Sequence, residues 1–220
     1  VVRVDTLRAA RSSESLACHL LCAVPQLDDP NFKRSVVLLV EHGEDGALGL
    51  VLNQELPNLV AEVSSPLGLQ WRGAPSAHLR QAGPVEPVRG WILHDQATWD
   101  EQAHQIAPGL WLTASLDHIT DGADQPVPIG DAGDALFFVG YAGWGPHQLE
   151  AEIAAGSWVI VPLRGLREPV PAHDVACGVG VDVRWVFATE PADMWSQALR
   201  SIGVDPARLV GLKGGEAVIH

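Results

Sequence analysis

A mixed α+β domain is expected of this chain, for three reasons. Short runs of branched apolar residues outnumber helical patterns, and the two kinds of segment do not alternate as a doubly wound sheet requires. The 220 residues also show no repeat, low-complexity tract or interdomain linker, which points to a single domain. With 47% hydrophobic and 19% charged residues, the composition is that of a globular protein. A chain of this length buries roughly 70% of the surface its unfolded form exposes, so it needs no staple.

In chain order, Leu16–Val24 reads as the first strand. It follows Arg3, Arg8 and Arg11 in the outline of a secretory signal, but Asp5, Glu14 and His19 interrupt that pattern and no small-x-small cleavage site follows. Asp28, Asp29 and Pro30 mark a turn, after which Phe32 returns to the core. Ser35–Glu41 and Ala47–Asn53 are nearly continuous apolar runs, which predicts strands covered on both faces and joined as a hairpin through Asp45-Gly46. A short helix is expected within 57–67, with Leu59, Val60 and Val63 on one side.

Gly90–His94 predicts a strand with Trp91 and Leu93 on one face and Ile92 and His94 on the other. Leu110–Ser115 and Ala135–Tyr141 predict two more, separated by a loop at 121–133 rich in Gly, Pro and Asp. Gly145-Pro146 opens a helix over 148–155, with Leu149 and Ile153 on one stripe and Gly156 as its stop, and 157–161 returns as a strand. Residues 164–185 read as an irregular insertion. Glu190-Pro191 starts the strongest helix, on which Trp195, Ala198, Leu199 and Ile202 recur before Gly203 ends it.

Lys and Arg number 14 against 27 for Asp and Glu, a formal charge of -13, so the average field repels a duplex or an anionic bilayer. The longest apolar stretches fall far short of the roughly 20 residues of a membrane-spanning helix, and a soluble protein is expected. Cys18, Cys22 and Cys177 are too few, and odd in number, for a disulfide framework; they fit buried thiols in a reducing cytoplasm.

Several of these segments together form an ordered series: Asp29-Pro-Asn-Phe-Lys-Arg-Ser-Val-Val37, Glu41-His42, Gly49-Leu-Val-Leu-Asn53, Gly83-Pro-Val85, Leu93-His94, Gly140-Tyr-Ala-Gly-Trp-Gly-Pro146 and Gln148-Leu-Glu150. With the Trp195 helix, this series resembles the bacterial YqgE/AlgH family. The resemblance implies a cytosolic α+β domain with coiled, bifurcated, mainly antiparallel β-sheets and a few packed helices, and no established biochemical activity. It also implies a proposed link to transcriptional regulation of alginate synthesis. The matching domain spans 16–205, with 1–15 as an N-terminal extension, 164–185 as an insertion and 206–220 as a tail. Ala82 and His147 stand where the family usually carries glycine.

Glu41-His42 and Asn53 at the ends of paired strands, and His94 at the end of another, form an acid–base cluster if the fold gathers them at one rim. His titrates near neutrality, and a neighbouring carboxylate fixes its tautomer. The alternative is a turn network in which Glu41, His42 and Asn53 satisfy backbone groups. Tyr141, Trp144, Gln148 and Glu150 are the contacts of a second candidate, a pocket wall beside a helix start, against which stands a simple strand-to-helix corner. His42, His94 and Glu150 carry metal-ligand atoms but lack ligand spacing, and no P-loop, G-x-G-x-x-G or G-x-S-x-G occurs, so neither metal nor cofactor is expected.

The expected function is therefore a binding or regulatory module for a protein or small-molecule partner. An enzyme using Glu41, His42 and His94 is the alternative, and it requires those side chains in one cleft. The eight tryptophans would support a homodimer if several were exposed together. Arg164, Arg167 and Arg184 are the only cluster that direct DNA binding could use.

Overall fold

The computed structural model describes residues 15–115, 117–120, 123–130, 133–166 and 179–211. The extension at 1–14, Arg167, Cys177, the middle of the expected insertion and the tail from 212 lie outside the described residues. The chain opens with β1 (His19–Ala23), then the hairpin β2 (Val36–Gly43) and β3 (Gly46–Val51). β4 (Glu55–Leu59) leads into a helix at Val60–Ser64, followed by β5 (Leu69–Trp71), β6 (His78–Gln81) and β7 (Val85–His94). β8 (His104–Ala107), β9 (Leu110–Thr113), a turn of helix at Asp117–Thr120, β10 (Val127–Ile129) and β11 (Ala135–Trp144) come next. A helix at Gln148–Ala154, β12 (Trp158–Arg164) and β13 (Val181–Asp182) precede helices at Val183–Ala188, Pro191–Ser201 and Pro206–Gly211.

The main sheet runs β13-β12-β1-β2-β3-β11-β7-β9-β8. It is bifurcated at β11: residues 142–144 pair with β3, whereas Phe138 and Val139 pair on that side with β6, which in turn carries β4. The fork sits where two glycines cross. Gly140 adopts φ +72° and Gly83 φ +150°, and a Cβ on Gly83 would lie 2.3 Å from the Tyr141 carbonyl. The close approach thus falls on Gly83, so Ala82 is tolerated at the preceding position, fully buried.

The hairpin is covered on both faces, as its continuous apolar runs predict. Val36, Leu38 and Val40 enter one core with Leu48 and Leu50, while Val37 and Leu39 enter another with Ala47 and Val51. Met194, Trp195, Ala198 and Leu199 of the Pro191–Ser201 helix close the first core, and Leu149 of the Gln148–Ala154 helix closes the second. Each such Leu contributes roughly 1.5–3 kcal/mol by leaving water. A third core, with Val60, Leu69, Ile92 and Phe137, lies under the β4–β6 side.

Several expectations are corrected in detail. The hairpin turns at Glu44–Asp45, with Gly46 (φ +121°) closing it, because a Cβ there would strike the Trp144 carbonyl. The helix expected within 57–67 begins only at Val60, since Glu55–Leu59 is a strand. The loop at 121–133 contains β10, paired in parallel with β5. His147, not Pro146, caps the next helix, at φ +60°, which is why glycine suits that place. Residues 181–185, at the end of the expected insertion, form β13 and the first half of a helix that runs on to Ala188, and 206–211, within the expected tail, form another helix.

Candidate functional site

The residues predicted to form one site are scattered over the fold. Glu41 pairs with Leu48, which faces the first core, and the next residue, His42, pairs with Ala47, which faces the second. The two side chains therefore leave the sheet on opposite faces. Burial raises the Glu41 carboxyl above its ordinary range. His42 Nδ1 accepts from the Leu16 backbone N–H (3.1 Å), so the ring proton sits on Nε2 and is donated to Glu150 Oε1 (3.0 Å). This pair ties the segment before β1 to the Gln148–Ala154 helix.

His94 lies at the other end of the molecule. It pairs with Ala135 at the start of the ten-residue β11, whereas Ala47, opposite His42, pairs with Trp144 at its end. At the rise of a strand that separation is about 30 Å. Asp100 Oδ2 accepts from the Thr113 hydroxyl (2.8 Å), whose oxygen accepts from His94 Nε2 (3.1 Å). His94 is 0% exposed and stacks against Trp99 at 5.5 Å, and its Nδ1 has no hydrogen-bond partner among the described residues. Burial lowers its pKa, an effect countered in part by the Gln96 backbone and by Asp100 and Asp95. His94, Thr113 and Asp100 are all buried, and Glu41, His42 and His94 do not share the one cleft that the enzyme alternative requires.

The second candidate is consumed internally. Trp144 and Trp158 both donate their indole N–H to Glu152 Oε2 (3.0 and 2.8 Å), and Gln148 donates to Glu152 Oε1 (2.9 Å). Glu152 was not among the predicted residues; its place four positions after Gln148 on the same helix face is the signal that would have found it. Tyr141 lies elsewhere, donating to Glu86 Oε1 at 3.4 Å and packing edge-on to Trp91. Burial, then the Glu86 charge and hydrogen bond, raise its phenol pKa against an opposing effect of Arg89.

Asn53 stands apart from all of these. Its Oδ1 accepts from Val36 N (2.9 Å) and its Nδ2 donates to the Arg34 carbonyl (3.0 Å), so one side chain fastens the backbone on both sides of Ser35. Arg34 is thereby held at φ +52°. Such a left-handed conformation costs roughly 1–2 kcal/mol for an L-residue, and the two hydrogen bonds offset it. Phe32 is anchored between Trp144 (6.2 Å) and Trp158 (5.5 Å), which turns Lys33 and Arg34 outward.

There they line a groove of about 370 Å³. Lys33, Arg34, Asn53 and Gln54 form one wall; Pro191, Trp195 and Pro206, with Val210, form the other. The Arg34 guanidinium lies over the Trp195 ring at 5.6 Å. Among the described residues neither Lys33 nor Arg34 has an ion-pair partner. Lys33-Arg34 is the only adjacent pair of basic residues in the chain, a signal that sequence reasoning had available. Among the described residues, no group of three or more His, Cys, Asp and Glu could hold a metal.

The family profile described as AlgH-like, DUF179, matches residues 20–168. The chain belongs to the AlgH-like family. A UPF0301 protein of Myxococcus xanthus is 41% identical over 202 residues, covering 91% of this chain and 98% of that one. Another, from a Shewanella species, is 34% identical over 209 residues, 93% of this chain and 100% of its own. The solution structure of the AlgH protein from Pseudomonas aeruginosa matches with a TM-score of 0.61 at 29% identity, covering 95% of this chain and 100% of that one. A crystal structure of a protein from Corynebacterium diphtheriae, at 20% identity and a TM-score of 0.61, has the same fold and covers 91% of this chain and 94% of its own.

In this AlgH-like chain, the polar wall of the groove lies inside the stretch matched by the family profile and the helical wall after it. Each of the eight tryptophans is buried or half-buried. Arg164 donates to the Val179 carbonyl, and Arg184 is exposed on its own helix. Among the described residues no helix is long and apolar enough to cross a membrane.

Proposed function

We propose that this AlgH-like protein is a ligand-binding module working through the groove between the Lys33–Arg34 corner and the Pro191–Ser201 helix, and that it is not an acid–base enzyme. One observation carries the reading. Among the described residues, two cations without ion-pair partners line one concave site, on a chain whose acidic residues far outnumber its basic ones, while His42, Gln148 and Glu150 of the alternative sites are already hydrogen-bonded and His94 is buried. A regulatory role, which the family resemblance implies, then passes through occupancy of the groove rather than through DNA. The buried thiol of Cys22 fits a cytoplasmic setting.

A thermal-shift panel of small charged and neutral metabolites tests this against Ala192→Trp, which places an indole in the groove from an exposed position. A ligand at a hundred times its Kd adds about 2.7 kcal/mol, a rise of about 5–10 °C for a chain of this size. The rise is expected in the native protein and not in Ala192→Trp. Equal stabilisation of both would place binding elsewhere.

A further inference from the structure

We infer that the groove takes a phosphomonoester carried on a flat apolar body, an inference that rests on the binding reading above. The charge argument comes first. Lys33 and Arg34 are free of ion pairs among the described residues. Glu55 and Glu190 lie close enough to the buried Arg80 for their charges to support it, and Asp205 faces Arg208 at 3.8 Å. A phosphomonoester carries about -1.5 to -2 charges at neutral pH, matching two cations, where a carboxylate leaves one uncompensated.

Shape and chemistry of the opposite wall supply the rest of the ligand. Pro191, Trp195 and Pro206 present carbon, and Val210, 42% exposed, is one of the few large apolar side chains left open to solvent. A volume of about 370 Å³ suits a small molecule, at the lower end of the range of roughly 300–1,000 Å³ for such sites. Arg34 is fixed in advance by its backbone, by Asn53 and by the Trp195 ring, so its planar fork loses little freedom on meeting a phosphate.

The test is a heteronuclear NMR titration of the full chain with phenyl phosphate, inorganic phosphate and benzyl alcohol, run in parallel. Phenyl phosphate is expected to move the amide resonances of residues 33–34, 53–54 and 191–196, and to bind at least about tenfold tighter than either fragment. The double variant Lys33→Gln, Arg34→Asn, in which Asn tolerates the left-handed backbone, should weaken it by about tenfold to a hundredfold. Benzyl alcohol binding in the groove as tightly as phenyl phosphate, or a double variant that binds unchanged, would overturn the phosphate assignment and leave the groove a binding site. Inorganic phosphate equalling phenyl phosphate would overturn the apolar part. No groove shifts with any probe would overturn both this inference and the binding reading.

Discussion

Phe32 joins two regions that use polar groups in opposite ways. On one side of it, the Glu152 carboxylate accepts from two tryptophans and a glutamine, and those hydrogen bonds hold the aromatic cluster together. On the other, the next two residues, Lys33 and Arg34, have no ion-pair partner among the described residues and face a groove. The same turn thus serves as an anchor and as a presenting corner. The contrast is between polar groups that hold the fold together and charges that are turned toward a groove.

The largest effect that sharpens this contrast is expected from Glu152→Ala. It leaves two indole N–H groups without acceptors, and denaturant melts should show a loss of about 2–4 kcal/mol, with binding in the groove preserved. Loss of binding in a folded Glu152→Ala protein would instead make the aromatic face functional.

Two pH effects come next. Because folding lowers the His94 pKa, stability is complete above the unfolded value near 6.5 and is lost as pH falls below it, until the folded value is passed. His94→Gln should flatten that part of the profile. Cys22 gives the mirror image. Burial pushes its thiol up to about 12, so its contribution is present below the ordinary value of 9.0 and is lost as pH rises from there towards 12. Urea midpoints measured across acid and alkaline series check both signs.

The smallest effect is expected from His42→Ala, which frees the Leu16 N–H and Glu150 at a cost of about 1 kcal/mol and leaves groove affinity unchanged. A binding defect here, in protein of native stability, would reopen the Gly140–Glu150 wall as a site.

Much of the fold was legible where local pattern and tertiary need agree. The β2–β3 hairpin and the Pro191–Ser201 helix show strong periodicity with clear stops, and both stand where expected. β4 (Glu-Leu-Pro-Asn-Leu) and β6 (His-Leu-Arg-Gln) were not legible, because they are short, polar and defined by partners distant in sequence. Val183–Ala188 is rich in β-branched and aromatic residues, yet it is helical because Asp182 caps it through Trp185 N and Val183 and Val186 are buried against the core. The site was legible in pieces only. Asn53 was singled out and does line the groove, but as the fastening that positions Arg34. Which faces Glu41 and His42 take depends on a bulge in β2 between Leu39 and Glu41, which no composition or spacing announces.

The most direct test of the groove as the working site is a crystal structure of the protein with whichever panel ligand stabilises it most. The account predicts ordered ligand density between the Lys33–Arg34 corner and Trp195, with the Glu152 cluster and His94 unchanged. Density lodged instead beside His42 and Glu150, with the groove empty, would contradict it.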